Sequence, residues 1–227
     1  MIIELTGIPG AGKSTFIKEL EKTGNASNTV TQIEKFIRKK ALFVFPGVIG
    51  FDSYLVGNLF TLKAKDIGVL KSAFRIVMKS QNNGFSKANI LRNIYKKLVI
   101  YRILSKYDHT FIVDEGISHI PMSLFVDIDS KINENQVKLF CKKLPSIDSL
   151  IVLDATDSEL LGRVINRGTE GHRRMDFTNP NKIKSFMNAS RNIIEIIKEE
   201  FSPKVIFNIE SNASIEDIMD IIELKNV

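Results

Sequence analysis

A single cysteine, Cys141, among 227 residues excludes an internal disulfide framework and leads to the expectation of a reducing, cytoplasmic setting. Glycine (13) and proline (6) are too sparse for a collagen-like or proline-rich chain. The opening MIIELTGIPG lacks the charged start, long apolar stretch and small-residue cleavage site of a secretory leader, so none is expected. His109, His119 and His172 have no paired spacing for zinc, and Cys141 stands alone in KLFCKKL, which reads as a small packed thiol; no transition metal is expected. One long apolar run, residues 41–60, is broken by Pro46, Gly47, Gly50, Asp52 and Gly57. Those breaks argue against a membrane span and for a buried segment or an apolar wall beside a substrate. Repeats, low-complexity tracts and Gly/Ser linkers are absent, so residues 1–227 are read as one domain.

A 44% share of hydrophobic residues supports a substantial core, and 32 Lys plus Arg against 26 Asp plus Glu (+6) suits anionic ligands. The run IIELT leads into a glycine loop and then a helical pattern, which reads as strand, loop, helix. Further apolar runs fit buried parallel strands at residues 110–114 (TFIVD), 149–154 (SLIVLD) and 204–209 (KVIFNI), with residues 29–33 as the candidate second strand. Helical patterns occupy residues 157–167, 179–201 and 214–224, and residues 34–106 read as a basic helical insertion between strands two and three. Alternating strands and helices predict a doubly wound α/β sheet with right-handed crossovers.

The sharpest motif is GIPGAGKST at residues 7–15, which satisfies G-x-x-x-x-G-K-[ST] between a strand and a helix. Gly7, Gly10 and Gly12, with Pro9 and Ala11 between them, let consecutive N–H groups surround a phosphate. Lys13 is expected at the β and γ phosphates, Ser14 on Mg²⁺ and Thr15 at the α phosphate, at the positive end of the helix dipole. TFIVDEG supplies Asp114 at a strand end to hold the metal, and Glu115 to take a proton from an attacking hydroxyl or water. Whether Asp114, Glu115 or Glu34 is the base is left open. After the 149–154 strand come Arg163, Arg167, Arg173 and Arg174, and residues 163–178 read as a basic lid able to neutralise charge on a transferred phosphoryl group. The plainer reading pairs these arginines with Glu159, Glu170 and Asp176 at the surface.

On three blocks, MIIELTGIPGAGKST, TFIVDEG and SLIVLDATDSELLGRVINRGTEGHRR, the chain resembles the P-loop kinases of nucleosides and nucleotides, most closely the thymidylate kinase-like group. The resemblance implies a three-layer P-loop NTPase fold with a five-stranded parallel sheet, Mg²⁺ and ATP as the donor pair, and Lys13, Arg163, Arg167 and Arg173 around the transferred group. It does not identify the acceptor: a small molecule is expected, nucleotide-like or, given the apolar 41–60 segment, glycan-linked or lipid-linked, with no nucleic-acid partner, no membrane span and a homodimer permitted. Glu34, Arg75, Arg92 and Arg102 are weaker candidates for contacting the acceptor. The chain departs from the group in having Asp114-Glu115-Gly116 where an Asp-Arg pair is usual. Two other functions compete: an NTP-hydrolysing switch, although N-K-x-D, L-S-G-G-Q and a second phosphate loop are lacking, and a basic nucleic-acid or membrane-surface binder that uses ATP as a ligand.

Overall fold

The computed structural model describes residues 1–22, 61–80, 84–108, 110–126, 132–167, 179–201 and 205–210. In chain order these form β1 (Ile2–Gly7), α1 (Lys13–Lys22), α2 (Ala64–Lys79), α3 (Gly84–Leu104), β2 (Phe111–Asp114), α4 (His119–Phe125), α5 (Glu134–Cys141), β3 (Ser149–Asp154), α6 (Asp157–Arg167), α7 (Pro180–Phe201) and β4 (Val205–Glu210).

Every strand pairing is parallel, in the order β2-β1-β3-β4. β1 is therefore central: Leu5 lies opposite Asp114 on one side and Ile151 on the other, and Gly7 opposite Leu153. The chain leaves β1 for β2 on one flank and then crosses to β3 on the opposite flank. Ligands of open α/β sheets collect where the strand order reverses in this way, beyond the carboxyl ends of the strands. Strand, glycine loop and α1 meet at that point.

Burial explains the apolar runs. Leu5, Leu150 and Ile151 are fully buried, Ile3 nearly so, and helices supply Leu160, Val164, Ile183, Ile193 and Ile197 to the same core. Each such side chain contributes about 1.5–3 kcal/mol when removed from water. Helix ends are set by polar side chains. Thr156 and Glu159 cap α6 reciprocally, Thr156 N–H and Oγ donating to Glu159 Oε2 at 3.0 and 2.8 Å. Asn179 Oδ1 accepts from the N–H groups of Asn181 and Lys182 at the start of α7.

The strands expected at 149–154 and the helix expected at 157–167 are found at those residues, and the strand ends expected near 114 and 209 agree to within a residue. Helices α2 and α3 bear out the helical patterns within residues 64–104, whereas residues 34–60 and 81–83 of the expected insertion, the candidate second strand at 29–33 and the helix at 214–224 fall outside the described residues. Four strands, not five, are seen among the described residues. The short helices α4 and α5 were not expected: α4 carries Pro121 and spans only seven residues, too few for an apolar period to show. Cys141 is buried, and burial pushes its thiol up to about 12, in agreement with a packed rather than reactive cysteine. No helix among the described residues is long and apolar enough to cross a membrane. The apolar segment 41–60 lies outside them.

Candidate active site

The glycine loop turns directly from β1 into α1. Gly10 (φ 92°) and Gly12 (φ 91°) occupy the left-handed region, where a side chain is strained. Gly7 is needed for a different reason: a Cβ there would collide with the Leu153 carbonyl of β3. Ile8 and Ala11 are buried beneath the loop, and Ala11 N–H donates to Ile8 O at 3.1 Å. Ser14 and Thr15 stand exposed on the first turn of α1. Lys13 Nζ donates to Gly7 O at 2.9 Å, which keeps the ammonium over the loop.

α6 leans on the same loop. Arg163 donates to Gly10 O at 3.2 Å and pairs with Glu159 at 3.5 Å, one helical turn earlier. Of the acidic partners that the surface-pairing reading named, Glu159 is the one Arg163 meets among the described residues. Arg167 ends α6, and Arg173 and Arg174 lie outside the described residues. Arg191 of α7, not singled out from sequence, braces the turn before α6 by pairing with Asp157 at 2.6 Å and Asp154 at 3.6 Å.

β2 ends beside the loop, where register places Asp114 against Leu5. Asp114 Oδ1 is buried with no hydrogen-bond partner among the described residues. Burial, with Glu115 adding like charge, pushes the Asp114 carboxyl up to about 6, against the opposing pull of Lys13 and Lys97. A buried oxygen lacking a partner normally marks a missing ligand. Asp114 and the exposed Ser14 hydroxyl offer only oxygen donors, the chemistry that would suit a hard cation such as Mg²⁺.

Glu115 follows in a left-handed conformation (φ 53°), at a cost of about 1–3 kcal/mol for a residue with a side chain. Its carboxylate stands 3.9 Å from Lys13 Nζ and 3.6 Å from His119 Nε2 and is 41% exposed, so it is accessible to a reacting group. The turn behind it is built on a residue the sequence reading passed over. Glu4, mid-strand in β1 and 1% exposed, accepts the N–H groups of Ile117 and Ser118 at 2.8 and 2.7 Å. Gly116 packs so closely on this carboxylate that a Cβ would overlap it. Lys97 of α3, also unforeseen, donates to the Glu115 carbonyl. Burial lowers the Lys97 ammonium despite Glu115, Glu4 and Asp114 nearby, and burial raises the Glu4 carboxyl despite its hydrogen bonds. The available signal for Glu4 was a charge inside an apolar strand. Lys97 had none, being one lysine of many on a basic helix.

A cavity of about 280 Å³ opens between α3 and the β1–β2 edge, where Glu4, Lys97, Tyr101, Asp114 and Glu115 meet. Of the weaker candidates, Arg102 does not face an open site: its guanidinium grips the fully buried Asp66 with two bonds of 2.7 and 2.8 Å, tying α3 to the start of α2. Arg75 and Arg92 are exposed on α2 and α3, and Glu34 lies outside the described residues.

No family model matches the sequence, and no curated protein matches it. Among solved structures the chain is similar to deoxyadenosine kinase from M. mycoides: with bound dATP (14% identity, TM-score 0.46, 100% of this chain and 99% of that one); with the products dCMP and dCDP (15%, 0.49, 100% and 98%); and with dCTP (14%, 0.44, 100% and 100%). The alignments run end to end but superpose loosely, so the fold assignment rests on the parallel sheet, its strand order and the glycine loop before α1.

Proposed function

We propose that this protein is a P-loop phosphotransferase of the nucleoside and nucleotide kinase type, moving the γ-phosphoryl group of ATP, with Mg²⁺, to a hydroxyl or phosphate of a small acceptor. The observation that carries the reading is the meeting of three groups at the carboxyl ends of β1 and β2: Lys13 on the glycine loop, Asp114 with its buried Oδ1, and Glu115 3.9 Å from Lys13. Phosphoryl transfer asks little covalent chemistry of a protein beyond placing charge and aligning the nucleophile, and this cluster supplies both.

Each residue has a definable task. N–H groups of the loop surround the β phosphate, and Lys13 exchanges the Gly7 carbonyl for phosphate oxygens. Ser14 and Asp114 would hold Mg²⁺, which neutralises charge shared by the β and γ phosphates when bound. Glu115 accepts the proton of an acceptor hydroxyl, an exposed carboxylate being a suitable base at neutral pH. Arg163 reaches the loop from α6 beside Gly10, and on this reading Arg167 and Arg173 share with it the task of neutralising the transferred group.

The acceptor is expected on the α3 side, where the cavity reaches Glu115. The test is a screen with ATP, Mg²⁺ and coupled ADP detection across nucleosides, deoxynucleosides, nucleoside monophosphates, sugars and lipid-linked polyols. ADP release that depends on one acceptor class supports the proposal and names the class. Steady release of inorganic phosphate with no acceptor present replaces it with a hydrolase, in which Glu115 aligns water.

A further inference from the structure

We infer that Glu4 and Lys97 are positioning residues for the reaction, acting through Glu115 by holding its carbonyl and the turn that follows it. The catalytic part of this inference rests on the kinase reading above.

Central parallel strands are normally apolar throughout, and a carboxylate replaced there by a well-packed hydrophobe is often no loss to stability. Glu4 sits between Val113 and Leu150 in register, yet is 1% exposed and ionisable. Its partners are the N–H groups of Ile117 and Ser118, 113 and 114 residues away. Both belong to the turn that follows Glu115. The carboxylate also lies flat on Gly116, a contact only a glycine permits. One side chain thus fixes three successive residues of that turn.

Lys97 completes the restraint from the opposite direction. Its ammonium donates to the carbonyl of Glu115, whose N–H is already bonded to Leu5 O at 3.2 Å. Glu115 is therefore tied at its N–H, at its carbonyl and through the next three residues, while its carboxylate alone stays accessible. Left-handed φ at a residue with a side chain persists only where the surroundings over-determine it. Here the determinants are Leu5, Lys97 and Glu4, and the side chain they orient reaches both Lys13 and His119.

Glu4→Gln tests the inference with little change of volume. Glutamine offers one oxygen acceptor, so the second N–H of the turn meets an amide donor instead. Expected results are a kcat lower by about 10- to 100-fold, the loss that a misplaced reacting group produces, with KM and Kd for ATP within about twofold of wild type. Lys97→Met, which removes a buried charge and keeps the aliphatic stem, should lower kcat about tenfold without weakening ATP binding. In Glu4→Gln, amide hydrogen exchange should quicken at Ile117 and Ser118 and stay unchanged at Ala11 in the glycine loop. The inference is overturned by a folded Glu4→Gln protein with wild-type kcat, by unchanged exchange at Ile117 and Ser118, or by kcat and ATP affinity falling in parallel. Should Glu4→Gln not fold, kcat and ATP affinity in Lys97→Met decide in the same way. Wild-type protein that transfers phosphate to no acceptor sinks the kinase reading, and the exchange measurement still decides whether Glu4 restrains the turn.

Discussion

Two loops face each other across the ends of β1 and β2, and they are made in opposite ways. The phosphate loop is local: its glycines, Lys13 and the first turn of α1 lie within nine consecutive residues, and Lys13 bonds to Gly7, six residues back. The turn carrying Glu115 is non-local, held by Leu5 and Glu4 from over a hundred residues upstream and by Lys97 from α3. A loop specified by its own residues survives transplantation and is recognisable as text. A loop specified by distant partners has neither property. Binding of the donor nucleotide should therefore depend on the first loop alone, and turnover on both.

Lys13→Ala is expected to break the comparison most severely. Removing the one ammonium held over the loop should cut kcat/KM on the order of 10³-fold, a loss typical for a charge aimed at the transition state, with the thermal melt nearly unchanged. Wild-type kinetics in that variant would remove the loop from the chemistry. Gly116→Ala and Gly12→Ala then sharpen it on stability. The methyl group at 116 meets the Glu4 carboxylate and should cost about 1–3 kcal/mol by overpacking, whereas at 12 nothing lies within 4 Å and the cost is the left-handed φ, about 1–2 kcal/mol. ATP affinity should fall only in Gly12→Ala. Equal loss of ATP affinity in both would show the two loops to be one unit.

The smallest effect concerns pH. Asp114 in the folded protein takes up a proton at about 6, against 3.8 for an ordinary aspartate, so the native state holds that proton more tightly than the unfolded chain does. The resulting stabilisation is present below pH about 4 and is lost as pH rises through about 6, by at most about 3 kcal/mol. Asp114→Asn, with no charge to acquire, should gain stability relative to ligand-free wild type between those pH values. Chemical denaturation of both proteins at several pH values measures this directly, and parallel curves would contradict the burial of Asp114.

The sequence disclosed whatever was encoded within one element. Apolar runs bounded by turns located β2, β3 and β4, the acidic first turn and helical spacing of DSELLGRVINR marked α6, and the glycine spacing located the nucleotide loop. Partners chosen by the fold were not visible. Nothing in TFIVDEG says that Gly116 makes room for a carboxylate from residue 4, and nothing in NIYKKLV says which lysine turns inward. Arg102 illustrates the reverse error: a basic residue considered for an anionic acceptor is occupied by Asp66, a fully buried aspartate 36 positions earlier. The short α4 and α5 escaped notice because seven or eight residues span about two helical turns, too little for periodicity.

The central place of β1 also dictates when this protein can mature on the ribosome. β1 waits for partners that begin at Phe111 and Ser149, so about 140 further residues must be translated before it is flanked on both sides. At synthesis rates of about 5–20 residues per second, β1 lacks one of its two flanking strands for roughly 7–30 seconds. Such late closure of distant pairings is characteristic of slow-folding topologies. A nascent chain halted before residue 149 already contains every residue of the nucleotide loop, yet its β1 still lacks the β3 flank.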